Sequence, residues 1–219
     1  MLVPTVVTRF FTRELAEALY KAHVAYFNSA PSDEKLACAW GHNVLECGRD
    51  EKQIISSCRC FNLGNITVAT QDVPFWSITC SEQQRDKTGK LNGVWISTIM
   101  RFAAFDTLLD GAIYYWAFLT RRERSFTAMK TGDGYQFGLA LGADHYMTAN
   151  IEPYSRSLAS VVKEGLTFVK DIERDQTPQD RDQVIRIMNL VAITLDESIR
   201  EAPAFQHVDH VEDGDSPDA

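Results

Sequence analysis

No apolar run in this sequence reaches about 18 residues without a charge, which argues against a membrane-spanning helix and leaves no membrane partner to expect. Cysteine is scarce and odd in number: Cys38, Cys47, Cys58, Cys60 and Cys80. An odd count speaks against a closed disulfide framework and for reduced thiols in a cytoplasmic setting. The opening stretch "MLVPTVVTRFFTRELAEAL" has no basic segment before its apolar start and no small-residue cleavage site, so no secretory signal is expected. Recognisable catalytic motifs are missing too. There is no Gly-x-Ser-x-Gly elbow, and "TGDGYQFG" is neither a phosphate loop nor a dinucleotide fingerprint. "SDEK" and the two "KTG" tripeptides, at Lys87 and Lys130, lack the order and spacing of a serine acylase set. These absences favour a protein without enzymatic activity and without a cofactor.

What is present suits an ordinary globular chain: 219 residues, 45% hydrophobic and 24% charged, enough to bury a core without metal or disulfide staples. The net charge of −8 is uneven, because the residues from Glu201 onward hold six acids and no Lys or Arg. The pattern predicts one domain over residues 1–201 and a disordered acidic tail over 202–219. Phe11, Leu15, Leu19, Ala22 and Tyr26 recur at steps of three or four, an amphipathic helix with Thr8 or Thr12 as its N-cap. Ser32, followed by Asp33 and Glu34, caps a second helix. "NITVAT" and "FWSITC" suggest a hairpin around residues 65–80, and residues 81–93 read as an exposed loop.

From Val94 to Thr120, Trp95, Ile99, Phe102, Phe105, Leu109, Ile113 and Trp116 keep helical spacing, which predicts one long buried helix. "TGDGYQFGLALG" reads as a turn and a short strand or irregular segment. Helices over residues 152–174, and from an N-cap at Thr177, complete the picture. The fold class is mainly α, a helical bundle-like domain with a small β element.

Asp106 and Asp110, four apart, share a face of the expected helix, and Asp171 and Asp175 repeat the spacing. Two such pairs on facing helices are how all-α isoprenoid synthases hold Mg²⁺ against a diphosphate, since the ion needs several oxygen ligands. Cys38, His42, Cys47, Cys58 and Cys60 are close in sequence but lack the paired spacing that zinc favours, so buried thiols are expected there. Arg121, Arg122 and Arg124 form a basic cluster able to grip phosphates.

The stretch from Arg101 to Asp106, "RFAAFD", followed by Asp110, Gly111 and Ala112, resembles the core motif of coat proteins from flexuous filamentous plant RNA viruses. "SSCRCF", "DVPFW" and "RRERSFTAMK" fall where that family has an aromatic segment and a charged helix, although Thr107 stands in place of an aromatic. The resemblance implies a capsid subunit that assembles with itself and binds single-stranded RNA non-specifically, in the cytoplasm or in a virion. Asp106 would then lie by the RNA groove, linked to an arginine such as Arg59 or Arg121. The leading expectation is therefore a self-assembling structural subunit. The alternatives are a small all-α Mg²⁺ enzyme acting on a diphosphate, and an acidic-tailed adaptor or inhibitor.

Overall fold

The computed structural model describes residues 1–68, 73–85, 91–146, 150–172, 174, 185–187 and 189, with side chains at 80, 82, 83, 85 and 91 excepted. The expected helix from Thr177 and the acidic tail over 202–219 lie outside the described residues. Among those described the chain is mainly helical, as its composition and periodicity indicate.

The first helix, α1 (Thr12–Phe27), buries Leu15, Ala16, Leu19, Tyr20 and His23 on one face. Its N-terminus is closed by Glu14, which accepts the Phe11 N–H at 2.6 Å, so neither Thr8 nor Thr12 is the cap. Helix α2 (Asp33–Cys47) starts where expected: the Ser32 hydroxyl accepts the Lys35 N–H at 3.3 Å, and Asp33 and Glu34 sit in the first turn. A two-residue strand before α1, β1 (Phe10–Phe11), pairs antiparallel with β2 (Ile54–Ile55). The pairing ties the loop after α2 back to the start of α1.

The long helix expected over 94–120 is two elements. Strand β3 (Phe75–Arg85) pairs antiparallel with β4 (Leu91–Ala103), and helix α3 (Leu108–Thr120) begins only after Thr107. Hence the β element reaches Ala103 rather than ending near residue 80, and the chain over 81–85 and 91–93 is strand rather than loop. Val94, Ile96, Thr98 and Ile99 are β-branched and fit a pleated surface better than a helix, while Trp95, Ile99 and Phe102 satisfy helical spacing by coincidence. The Thr107 hydroxyl accepts the Asp110 N–H at 3.1 Å and caps the true helix. Within α3 the all-round hydrophobic pattern does mean burial: every residue from Asp110 to Ala117 is buried.

Short helix α4 (Glu123–Ala128) follows, then α5 (Gly134–Ala143) where a turn and a short strand or irregular segment were expected. The Asp133 carboxylate caps α5 by accepting the Tyr135 and Gln136 N–H groups at 2.9 and 3.1 Å. Its glycines are packing positions rather than breaks, since a Cβ on Gly138 would sit 2.6 Å from the Ser155 hydroxyl oxygen. Helix α6 (Ile151–Phe168) carries Ser155 and packs against both α5 and α2. Trp40 of α2 is fully buried, donating to the Thr12 carbonyl at 3.0 Å and stacking on Phe168. Trp116 of α3 donates to the Leu19 carbonyl at 2.8 Å. These two indoles tie α1 to α2 and to α3 with every N–H satisfied. No described helix is long and apolar enough to cross a membrane.

Candidate active site around Glu46

Residues 36–48, "LACAWGHNVLECG", contain one charged side chain, Glu46, in the last turn of α2. Nothing at that end of the helix favours a carboxylate, because the negative end of the dipole lies there. Its position is set by what surrounds it. The Tyr154 hydroxyl, from the first turn of α6, donates to Glu46 Oε1 at 2.7 Å. Asn65, from the one-turn helix Leu63–Asn65, donates to Oε2 and to the Glu46 carbonyl, both at 3.2 Å. Asn65 has a positive φ of 49°, a conformation that asparagine adopts more readily than most residues.

One turn earlier in α2, His42 is wholly buried, with its Nδ1 2.7 Å from the Tyr115 hydroxyl of α3. The Tyr146 ring meets His42 edge to face at 4.9 Å, and the Tyr146 hydroxyl donates to the Gly64 carbonyl. Burial pushes the His42 imidazole down to about 3, so it is neutral. Its Nε2 lies 3.8 Å from Glu46 Oε1, too far for a hydrogen bond, and with a neutral ring this is no ion pair. That Nε2 has no hydrogen-bond partner among the described residues.

The Glu46 side chain is 18% exposed: reachable from the surface, yet mostly removed from water. Desolvation therefore raises its carboxyl above the ordinary value, and the bonds from Tyr154 and Asn65 only partly offset this. Burial likewise raises Tyr115, Tyr146 and Tyr154, which stay as neutral hydroxyls. The arrangement is a carboxylic acid that keeps its proton into a pH range where most carboxyls have lost theirs.

This makes a prediction for stability. With a raised folded value, the native state holds a proton that the unfolded chain has already released. The stabilising contribution is fully present below the ordinary carboxylate value and is lost as pH rises through the raised one. Glu46→Gln, which cannot ionise, should accordingly gain in melting temperature on the wild type as pH goes from about 4 to about 8. A difference that stays constant, or falls, over that range would show that Glu46 is not raised.

Sequence reasoning passed over Glu46 and singled out other residues. Asp106 was expected to be a carboxylate on a buried helix, but it lies exposed in the loop between β4 and α3. It sits at the rim of a cavity of about 310 Å³ lined by Val3, Val6, Thr8, Cys60 and Phe105. Asp110 is the buried one, 2% exposed, accepting the Thr107 hydroxyl at 2.9 Å with the Arg186 guanidinium 3.6 Å away. Asp171 is exposed beyond α6, and Asp175 lies outside the described residues. With Asp106 in a loop, Asp106 and Asp110 do not share a helix face, and the expected pairing of Asp171 with Asp175 lies outside the described residues. Among the described residues no group of three or more His, Cys, Asp or Glu could hold a metal ion.

The arginines are not gathered into one groove either. Arg121, Arg122 and Arg124 cluster at the α3–α4 junction, where Arg122 lies on the Phe118 ring at 3.4 Å and Arg124 donates to the Ala143 carbonyl at 3.4 Å. Arg59 lies elsewhere, over the Trp76 ring at 5.4 Å. No ion pair joins Asp106 to any of them among the described residues.

No family model matches the chain, and no curated protein matches it. Three solved structures are similar. A mutant peptidoglycan hydrolase from Sphingomonas sp. A1 superposes with a TM-score of 0.49 at 19% identity, covering 72% of this chain and 97% of that one. The glycoside hydrolase domain of FlgJ from Salmonella typhimurium gives 0.44 at 16% identity, covering 86% and 99%. Its C-terminally truncated form gives 0.41 at 22% identity, covering 70% and 96%. Scores and identities this low identify nothing by themselves.

The expectations of a capsid subunit and of a non-enzymatic structural protein are not carried further: the similar structures are hydrolase domains, and none of them is a viral coat protein. The "RFAAFD" stretch ends a strand and enters a loop, so it does not lie on the helix expected for it.

Proposed function

We propose that this chain is an enzyme that cleaves glycosidic bonds, with Glu46 as the general acid. The observation that carries this reading is the Glu46 carboxyl itself, shielded from water, raised above its ordinary value and fixed by Tyr154 and Asn65. An acid whose proton is held more firmly than that of an ordinary carboxyl suits a leaving group that needs a proton as it departs, and the sugar oxygen of a glycoside is one. A carboxyl raised by an apolar pocket is the established means of doing this chemistry near neutral pH.

In the proposed reaction the Glu46 proton passes to the bridging oxygen as its bond to the anomeric carbon breaks. Water adds to that carbon, and the proton it sheds restores the acid. Tyr154 and Asn65 hold both carboxyl oxygens, so the proton is presented in one orientation. His42, neutral and unable to repel a cationic transition state, keeps that side of the acid dry.

Peptidoglycan, the polymer for which the Sphingomonas neighbour is named, is the first substrate to assay. The full chain should release soluble glycan fragments from purified peptidoglycan, detected by mass spectrometry. No release from peptidoglycan or from simpler β-linked amino-sugar polymers, at any pH from about 4 to about 8, would sink the reading.

A further inference from the structure

His42 and Glu46 stand one turn apart on the same face of α2. The imidazole between them and α3 is held from three sides. Phe137 of α5 meets the ring edge to face at 5.6 Å, Tyr146 does so at 4.9 Å, and the Tyr115 hydroxyl lies 2.7 Å from Nδ1. The His42 side chain is wholly buried, and its Nε2 has no hydrogen-bond partner among the described residues. A buried ring nitrogen left unpaired is costly. This one is left so 3.8 Å from Glu46 Oε1, beside the carboxyl whose charge changes in the reaction proposed above.

The contact with Tyr115 decides which nitrogen carries the ring proton. A phenol is a better donor than acceptor, and the bare nitrogen of a neutral imidazole is a strong acceptor. The Tyr115 hydroxyl therefore donates to Nδ1, and the proton resides on Nε2, the nitrogen nearer Glu46.

We propose that His42 is a positioning residue for Glu46, its Nε2–H a donor held ready for the carboxylate that forms when the acid gives up its proton. The inference rests on the acid role given to Glu46. While the acid is protonated, Oε1 accepts from Tyr154 and the gap to Nε2 stays open. As the proton leaves for the bridging oxygen, negative charge develops on the carboxyl. A shift of about 1 Å then closes the gap to an ordinary hydrogen bond. His42 neither gives nor takes a proton; the proton that Glu46 loses is replaced by one from water. A donor that is paired only after the charge has formed stabilises the transition state more than the ground state.

The other titratable groups around the pair are Tyr115 of α3, Tyr146 after α5, Tyr154 of α6 and Cys47, next in α2. Arg122 lies past Tyr146, on the Phe118 ring. Burial keeps the three phenols neutral, and the Cys47 thiol is held above its ordinary value. Removing the His42 donor therefore acts on the Glu46 carboxyl. It withdraws a hydrogen bond from the ionised form alone, so the midpoint of Glu46 should rise. The alkaline limb of the rate profile, where the acid loses its proton, should move to higher pH with it.

The test compares the full-length wild type with His42→Phe and His42→Gln. In the wild type, ¹⁵N NMR of the His42 ring should place the proton on Nε2. His42→Phe should raise the Glu46 midpoint and lower kcat on peptidoglycan by about 10–100-fold with KM little changed. His42→Gln, whose amide can both accept from Tyr115 and donate to Glu46, should restore much of the rate and return the midpoint towards the wild-type value. Should His42→Phe fail to fold with the Tyr115 hydroxyl unpaired, His42→Phe with Tyr115→Phe removes both partners and takes its place. A proton on Nδ1, or a Glu46 midpoint unmoved by the loss of the imidazole, overturns the proposal. So does a rate lost in Glu46→Gln but untouched in His42→Phe, which leaves the acid role standing. If the wild type cleaves no glycan, the acid role itself falls, whatever the two NMR readouts give for His42.

Discussion

Glu46→Gln should lower the rate of glycan cleavage by about 10²–10⁴-fold, the usual contribution of a positioned general acid. Glutamine matches glutamate in length and shape, and its carbonyl oxygen can still accept the Tyr154 hydroxyl that now donates to Oε1 at 2.7 Å. What it lacks is the acidic proton. The fold should survive the change, because α2 is held by Trp40, Leu36 and Val44 rather than by this side chain. Replacing a desolvated carboxyl with a neutral amide also removes a cost at neutral pH. A melting temperature at or above that of the wild type, combined with lost activity, separates a chemical role from a structural one. Glu46→Asp keeps the acid but withdraws it by one methylene from Tyr154 and Asn65, so its loss should be intermediate. Full activity in Glu46→Gln would remove Glu46 from the chemistry.

The second large effect is on stability. Gly111→Ala should destabilise the protein by about 3 kcal/mol or more, because overpacking against backbone has no cheap relaxation. A Cβ at Gly111 would stand 2.0 Å from the Phe61 carbonyl oxygen and 3.2 Å from its carbon. Phe61 cannot give way easily: it follows Cys60 with both residues at a positive φ of 49°. The Asn62 amide next to it makes reciprocal 2.9 Å bonds with Ile66. The N-terminus of α3 must therefore press on this turn with hydrogen alone between them. The melting temperature should fall by about 6–12 °C. Because Asn65 lies at the end of the same turn, the rate of glycan cleavage should fall as well, even in the fraction that stays folded. A neutral Gly111→Ala would show that α3 and the turn do not approach as described.

How much of this was legible in the sequence depends on what each signal measures. The helices α1 and α2 were readable because amphipathic spacing and caps are local, and Ser32 does what its position suggests, although α1 is closed by Glu14 rather than by a threonine. Of the β3–β4 hairpin only the first strand was readable, in "FWSITC"; β4 was not, because Trp95, Ile99 and Phe102 keep helical steps of four and three by coincidence and only the pairing with β3 decides. Helix α5 was hidden by glycines, which mark turns in isolation but here admit α6 at close range.

The carboxylates show the same limit most clearly. Asp106 was expected on a face of a buried helix, yet it faces solvent from a loop. Asp110, expected on the same helix face, is buried in a cap with Thr107. Glu46 drew no notice although it is the lone charge in the "LACAWGHNVLECG" run. An acid set among apolar residues is the signal that would have singled it out. Its partners, Tyr154 and Asn65, are 108 and 19 residues away, and no local pattern announces them.

The most direct test of the central claim is a ¹³C titration of the Glu46 side-chain carboxyl by NMR, assigned by the signal that disappears in Glu46→Gln. The structure predicts a midpoint above the ordinary glutamate value of 4.5, with burial outweighing the bonds from Tyr154 and Asn65. A midpoint at or below 4.5 would mean that Glu46 is an ordinary ionised carboxylate, and the acid assigned to it would have to be sought elsewhere.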